Sequence, residues 1–164
     1  APSSYRVASY APTLPLERPR EELTTLISMK SSAFPYFGEN PRSEASFLNA
    51  DALDLEIAEG TLDAVVALHF FGHVPMDEQR DLIGRIALWL REGGLFLATL
   101  GAGDAGEDVD DDWLGAPMFF ASLGRDSYLP LLRDCGLEPL RDEVVTQHEP
   151  GHGDIAFHWV LARA

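Results

Sequence analysis

The sequence is poor in cysteine and in positive charge. Cys135 is the one cysteine in 164 residues, so no intramolecular disulfide can form and no cysteine metal cluster can be built. A lone thiol fits a reducing compartment. Lys30 is the one lysine among 12 basic residues; 27 acidic residues face them, and the formal net charge is −15. A chain this negative repels phosphate backbones, which argues against nucleic acid as the main partner. No uninterrupted apolar stretch approaches the ~18 residues of a membrane span. The opening APSSYRVASYAP lacks the charged region and apolar core of a signal peptide. The expectation is a cytoplasmic protein with no membrane partner. Disorder is excluded by composition, because 46% of the residues are hydrophobic and 10% aromatic.

The chain reads as a single domain, 1–164, with two textures. Residues 1–45 form an irregular part carrying prolines at 2, 12, 15, 19, 35 and 41. Their one helical stretch is 20–29, where Leu23, Leu26 and Ile27 share a face. Residues 46–164 are regular α/β sequence. A short strand over 46–50 ends in the polar turn Asp51-Ala52. The run 62–70 (LDAVVALHF) is nearly all apolar, as suits a strand covered on both faces of a parallel sheet. Pro75 then opens a helix in which Leu82, Ile83, Ile86, Trp89 and Leu90 form a stripe, stopped by Gly93-Gly94. A strand over 95–100 leads into an acidic loop, 101–112, and an aromatic segment, 113–120. Asp126 caps a helix to Cys135, and Pro130 is tolerable there only near the first turn. Two final strands, near 140–147 and 155–163, suit an antiparallel hairpin.

This order predicts an open, mostly parallel Rossmann-like α/β sheet with helices on both faces and an antiparallel C-terminal hairpin. Ligands of such sheets bind beyond the carboxyl ends of the strands. The candidate site is therefore Asp51-Ala52, Leu68 to His73, and 101–113.

Three motifs mislead. Gly101-Ala102-Gly103-Asp104-Ala105-Gly106 spells GxGxxG after a strand. Its continuation, EDVDDD, has no helical periodicity and would repel phosphate, so it reads as a solvated loop. The same carboxylates lack the central glycine and terminal glutamate spacing of a calcium loop. His148-Glu149-Pro150-Gly151-His152 spells HExxH, but proline and glycine at the middle positions oppose the helix that would align two zinc ligands. No metal is expected. His69 and His73 lie past the most buried strand, either as packed, hydrogen-bonded residues or, for His73, as a general base. Trp113, Met118, Phe119 and Phe120 are either core or a lid over an apolar substrate.

From Phe47 to Leu100 the sequence closely resembles class I S-adenosylmethionine-dependent methyltransferases. The resemblance lies in Asp51-Ala52, in Gly60-Thr61-Leu62-Asp63-Ala64-Val65-Val66, in His73-Val74-Pro75 and in Leu90-Arg91-Glu92-Gly93-Gly94-Leu95. The tail, through Leu132, Gly136-Leu137 and 157–163, is similar to small members of the family. One departure is specific: the family's first strand and its glycine-rich cofactor turn have no counterpart, as if a segment were absent between Leu26 and Met29. The sheet is thus expected to be incomplete in its N-terminal half.

The resemblance implies S-adenosylmethionine as cofactor. Asp51 would accept from the adenine amino group, the Ala52 N–H would donate to a ring nitrogen, and backbone at Leu68 and His69 would line the sulfonium. His73 is the candidate catalytic residue for methyl transfer to a small-molecule nucleophile. The rival reading is a catalytically dead methyltransferase-like module that binds or assembles, with an exposed sheet edge covered by a second copy in a homodimer.

Overall fold

The computed structural model describes residues 4–9, 25–30 and 45–164, apart from positions 114 and 150. Nine strands and two α-helices follow in the order β1 (Ser4–Ser9), β2 (Thr25–Lys30), β3 (Ala45–Asn49), β4 (Leu62–Leu68), α1 (Met76–Trp89), β5 (Leu90–Gly101), β6 (Gly106–Trp113), β7 (Ala116–Ser122), α2 (Arg125–Asp134), β8 (Glu138–Glu149) and β9 (Gly153–Arg163). Seven strands form one sheet in the order β3-β2-β1-β4-β5-β9-β8, and β6 and β7 form a separate hairpin. Within the large sheet β1, β4 and β5 pair in parallel, while β2 and β9 run against their neighbours. Five strands therefore point one way. Asn49, Ser9, Leu68 and Gly101 all lie toward one edge of the sheet, the edge where a ligand is expected.

Burial explains the centre of the sheet. Phe96, Ala98 and Leu100 of β5 alternate inward, as do Val160 and Ala162 of β9. Leu82, Ile83, Ile86 and Trp89 of α1 meet them. Each fully buried large side chain contributes about 1.5–3 kcal/mol. Helix α2 packs on the same face, since its Tyr128 hydroxyl donates to the Gln79 side chain of α1 at 2.6 Å. Among the described residues no helix covers the opposite face, where helices were also expected. Leu95 there is 38% exposed. No described helix is long and apolar enough to cross a membrane.

Several expectations change. Thr25–Lys30 is a strand paired with β1 and β3, not the end of a helix; residues 20–24 lie outside the described residues. A three-residue apolar pattern is too short to separate helix from strand, and pairing on both sides decides it. The place beside β4, for which no strand was expected, is filled by β1. The chain's first glycine is Gly38, however, so no glycine-rich turn follows β1. The acidic loop over 101–112 is largely strand: β6 pairs with β7 from Gly106↔Ser122 to Trp113↔Ala116. Helix α1 ends at Trp89, ahead of Gly93-Gly94, and β5 begins at Leu90. Helix α2 starts at Arg125 behind Gly124, which puts Pro130 in the second turn. Pro130 and Asp126 are both exposed, so water can satisfy the carbonyl that loses its partner.

At the junction of sheet and hairpin, a Cβ added to Gly101 would lie 2.0 Å from Ser122 Oγ and 2.5 Å from its Cβ. Gly101→Ala should therefore destabilise the fold by about 1–3 kcal/mol. Urea denaturation of Gly101→Ala, Ser122→Gly and the double variant provides the check. The double variant should cost less than the sum of the singles; strict additivity would refute the steric account.

Candidate functional site

Three segments meet the carboxyl edge of β3, β4 and β5. After β3, Asp51 caps a 3-10 turn, Ala52–Asp54, and its Oδ1 accepts from the Leu53 N–H at 2.9 Å. Ala52 is buried and Asp51 half-buried. The Arg85 guanidinium of α1 donates to the carbonyls of Leu53 and Leu55 and lies 5.3 Å over the Trp89 ring. One arginine thus ties the segment after Asp51 to the core. A carboxylate has about four lone-pair sites, so Asp51 retains acceptor capacity beyond its cap.

After β4 the backbone turns sharply. His69 adopts φ 51°, the one positive φ among the described non-glycine residues. Such a conformation costs roughly 1–2 kcal/mol and is held by its surroundings. Here the buried Thr99 hydroxyl accepts the His69 N–H. The exposed His69 ring sits edge-on to Phe157 at 4.7 Å and to Trp159 at 6.3 Å, both from β9. Leu68, the last residue of β4, is half-buried beside it.

A second 3-10 turn, Phe71–His73, leads into α1. Gln79 of α1 is completely buried and holds this turn from below. Its Nε2 donates to the carbonyls of Phe71 at 3.1 Å and Val74 at 2.7 Å, and its Oε1 accepts from Tyr128. The Tyr128 oxygen in turn accepts from the Leu123 N–H at 3.3 Å, beside the end of β7. Burial raises the Tyr128 pKa, so the phenol stays a donor.

The hairpin closes over the turn. His73 Nδ1 lies 2.9 Å from the Phe119 carbonyl, and the His73 ring is 5.3 Å from that of Phe120. A carbonyl only accepts, so Nδ1 carries the proton and the basic lone pair of the neutral ring is on Nε2. Desolvation by burial lowers the His73 pKa, with the nearby His69 imidazole adding to the effect and the Phe119 contact opposing it. His73 is therefore neutral near pH 7. On the other strand, Glu107 Oε1 accepts the Met76 N–H at 2.7 Å. Pro75 offers α1 no side-chain cap, and a carboxylate at the positive end of the helix supplies one from 31 residues away. Neither Gln79 nor Glu107 was a candidate from the sequence, because the contacts Tyr128–Gln79 and Glu107–Met76 join residues 49 and 31 positions apart.

The motifs set aside from the sequence have structural places. Gly101 to Gly106 lead into a strand, not a phosphate-binding helix. His148 is on β8 and contacts Asp154 at 2.8 Å, while the His152 ring lies 4.2 Å from that of Trp113 and its Nδ1 3.7 Å from Asp110. No group of three metal-ligating side chains forms among the described residues. Trp113 and Phe120, 5.0 Å apart, stay half-exposed, whereas Met118 is core.

A methyltransferase domain family matches residues 23–98. No curated protein matches the chain. Among solved structures, an S-adenosylmethionine-dependent methyltransferase from Methanosarcina mazei superposes with a TM-score of 0.64 at 16% identity, covering 81% of this chain and 73% of the other. The Burkholderia thailandensis 1,6-didemethyltoxoflavin-N1-methyltransferase, solved with 1,6-didemethyltoxoflavin and S-adenosylhomocysteine, gives 0.54 at 16% identity, covering 71% of this chain and 49% of that one. The Synechocystis magnesium protoporphyrin IX methyltransferase, solved with S-adenosylmethionine, gives 0.50 at 15% identity, with 78% and 48% covered. The chain thus spans about half the length of the latter two. At these identities the likeness is one of fold.

Two outcomes follow from the buried contacts. Gln79→Leu keeps the volume but strands the Val74 carbonyl and the Tyr128 hydroxyl, while the Phe71 carbonyl keeps the Val74 N–H, and should cost about 2–6 kcal/mol in urea unfolding, at about 1–3 kcal/mol per unpaired group. A cost below that of an exposed substitution would contradict the network. For His73, the folded pKa lies below the ordinary 6.5, so its neutral form contributes stability above that pH. That contribution is lost as pH falls from about 6.5 through the lower folded value. An NMR titration should give a His73 midpoint below 6.5, and His73→Gln should flatten the fall in thermal midpoint between pH 7 and 5. A midpoint above 6.5 would reverse the argument.

Proposed function

We propose that this chain, similar over residues 23–98 to a methyltransferase domain family and in fold to S-adenosylmethionine-dependent methyltransferases, transfers a methyl group from S-adenosylmethionine to a small-molecule nucleophile in the cytoplasm. The observation that supports the reading most directly is the shared edge of β3 and β4, with Asp51-Ala52 at one end and His69 to His73 at the other. Acceptor and donor stand side by side in the Asp51 carboxylate and the Ala52 N–H, the pair that an adenine edge takes. The residues therefore fit the cofactor at its adenine end. At the methionine end no glycine-rich turn is present, so Leu68 and His69 at the end of β4 would carry that contact.

Bound there, S-adenosylmethionine supplies an electrophilic methyl on a sulfonium. The chain's own part is placement and proton transfer. Arg85 fixes the segment that holds the adenine end, and Gln79 fixes the turn that carries His73. The −15 net charge favours approach of a cation. His73, with Nδ1–H on the Phe119 carbonyl, would take the acceptor's proton at Nε2 as the bond to carbon forms. Such a base contributes typically ~100- to 10,000-fold in rate. Its lowered pKa keeps it competent down to slightly acidic pH.

A second reading has one observation in its favour. Leu95 is 38% exposed, and Leu97, Trp159 and Leu161 are half-buried on the sheet face that no described helix covers. A methyltransferase-like module that assembles as a homodimer would cover it. Solution mass together with cofactor binding separates the two readings: a dimer that ignores the cofactor favours the module.

Calorimetric titration with S-adenosylhomocysteine tests the proposal. Heat of binding is expected, and Asp51→Ala should weaken it about tenfold or more, the value of a hydrogen bond to a charged group. No heat at millimolar ligand would end the enzyme reading. In a working assay, His73→Gln should lose turnover while keeping cofactor affinity; unchanged turnover across pH 6–8 would leave His73 a structural residue.

A further inference from the structure

One arrangement reaches past the cofactor. Aromatic and imidazole rings gather in two groups past the carboxyl end of β4, one beside the first half of β9 and one under the hairpin. Phe157 and Trp159 meet the His69 ring edge-on at 4.7 and 6.3 Å. His69 lies close enough to His73 to disfavour its protonation. His73 faces Phe120 at 5.3 Å, and Phe120 meets Trp113 at 5.0 Å. Rings that only filled a core would be buried like Phe71 and Phe96, which have no exposed surface. These are half-exposed, and His69 is exposed.

Charge narrows what such rings would hold. Residues 106–122 contain five carboxylates, from Glu107 to Asp112, and no lysine or arginine. Asp110 stands 3.7 Å from His152. His73 is neutral near pH 7. Nothing on the hairpin greets a carboxylate or phosphate, while aromatic faces beside carboxylates attract an amine cation.

We propose that the acceptor is a flat aromatic compound, neutral or carrying an amine cation, held between His69, His73, Trp113 and Phe120, and that anionic aromatics are turned away. The proposal deepens the methyl-transfer reading and rests on it for the word acceptor; the ring site itself stands on geometry. Stacking and edge contacts favour an aromatic over an aliphatic of equal charge by about threefold to tenfold. The acidic hairpin adds a comparable factor for a cation over an anion.

The test uses the full chain and four probes: tyramine, tyrosol, 4-hydroxyphenylacetate and n-hexylamine. The first three share a hydroxyphenyl group and differ in charge, and the fourth keeps the amine without the ring. Binding is read from the indole N–H resonances of the three tryptophans, with Trp89, only 7% exposed at the end of α1, as internal control. Tyramine is expected to shift Trp113, to leave Trp89 unmoved, and to bind about tenfold more tightly than 4-hydroxyphenylacetate or n-hexylamine, with tyrosol between. Raising salt to about 1 M should shrink the tyramine-to-acetate ratio toward one. Phe120→Leu and Trp113→Leu should each weaken tyramine about threefold to tenfold. Where one of them fails to fold, the other and the salt series decide. Equal affinity for all three hydroxyphenyl probes, n-hexylamine matching tyramine, or shifts confined to Trp89 would each overturn the proposal. S-adenosylhomocysteine is titrated in parallel. Its heat without tyramine preference sinks the acceptor class alone; tyramine preference without its heat supports the ring site and sinks methyl transfer.

Discussion

The Gln79 carboxamide has no contact with solvent, and the turn that carries His73 is positioned by what it does with its three hydrogen bonds. A buried amide without partners would be costly, so the fold must bring two carbonyls and one hydroxyl to it at once. The carbonyls belong to Phe71 and Val74, which bracket His73. The hydroxyl belongs to Tyr128 of α2, and its oxygen reaches back to Leu123 at the end of the hairpin. One side chain therefore couples the turn after β4, both helices and the hairpin. Loss of Gln79 leaves the Val74 carbonyl and the Tyr128 hydroxyl without these partners in a low-dielectric interior, while the Phe71 carbonyl keeps the Val74 N–H.

The hairpin illustrates how a segment that disfavours strand can be made one. Asp and Glu are depleted in strands, and β6 carries five of them. Its stability comes from elsewhere. Met118 and Ala121 of β7 are buried, and Val109 pairs with Phe119. Glu107 gains a charge-assisted bond to the first N–H of α1, and Ser122 Oγ donates to the Gly103 carbonyl. The acidic face is left to water. An excess of carboxylates is tolerated because each has solvent or a donor, and the repulsion it creates falls on anions approaching the same edge.

How much of this was legible in the sequence depended on the range of the interactions involved. Helix α1 was legible because Pro75 and the Leu82-Ile83-Ile86-Trp89 stripe are local signals, and β4 because a strand buried on both faces spells an apolar run. The antiparallel C-terminal pair was legible for the same reason. Thr25–Lys30 was not, since Leu26 and Ile27 satisfy either period and only pairing with β1 and β3 decides. Strand β6 was hidden by its charge. At the site, Asp51, Leu68, His69 and His73 were named from their place after strands. What each touches was not legible: Glu107 reaches Met76 across 31 residues and Tyr128 reaches Gln79 across 49. Local sequence carries no trace of such pairs, and a glutamine in a helix reads as surface until the tertiary fold encloses it.

On the proposed reading, the absent glycine turn shifts the burden of binding along the sheet edge. In a doubly wound sheet the first turn presents backbone N–H groups because glycine lets the chain approach closely. Here β1 occupies the slot beside β4, but the sequence following it contains no glycine before Gly38. Among the described residues the backbone after β4 is held at an unusual angle, with His69 at φ 51° and its N–H on the Thr99 hydroxyl. Strain of roughly 1–2 kcal/mol at a non-glycine residue persists only where its surroundings enforce it. The enforcing residue is on β5, and β5 is fixed by β4 and β9 on either side. The rigidity of the sheet centre thus fixes the turn after β4, which on the proposed reading faces the cofactor's sulfonium, with His73 beside it as base for the acceptor's proton.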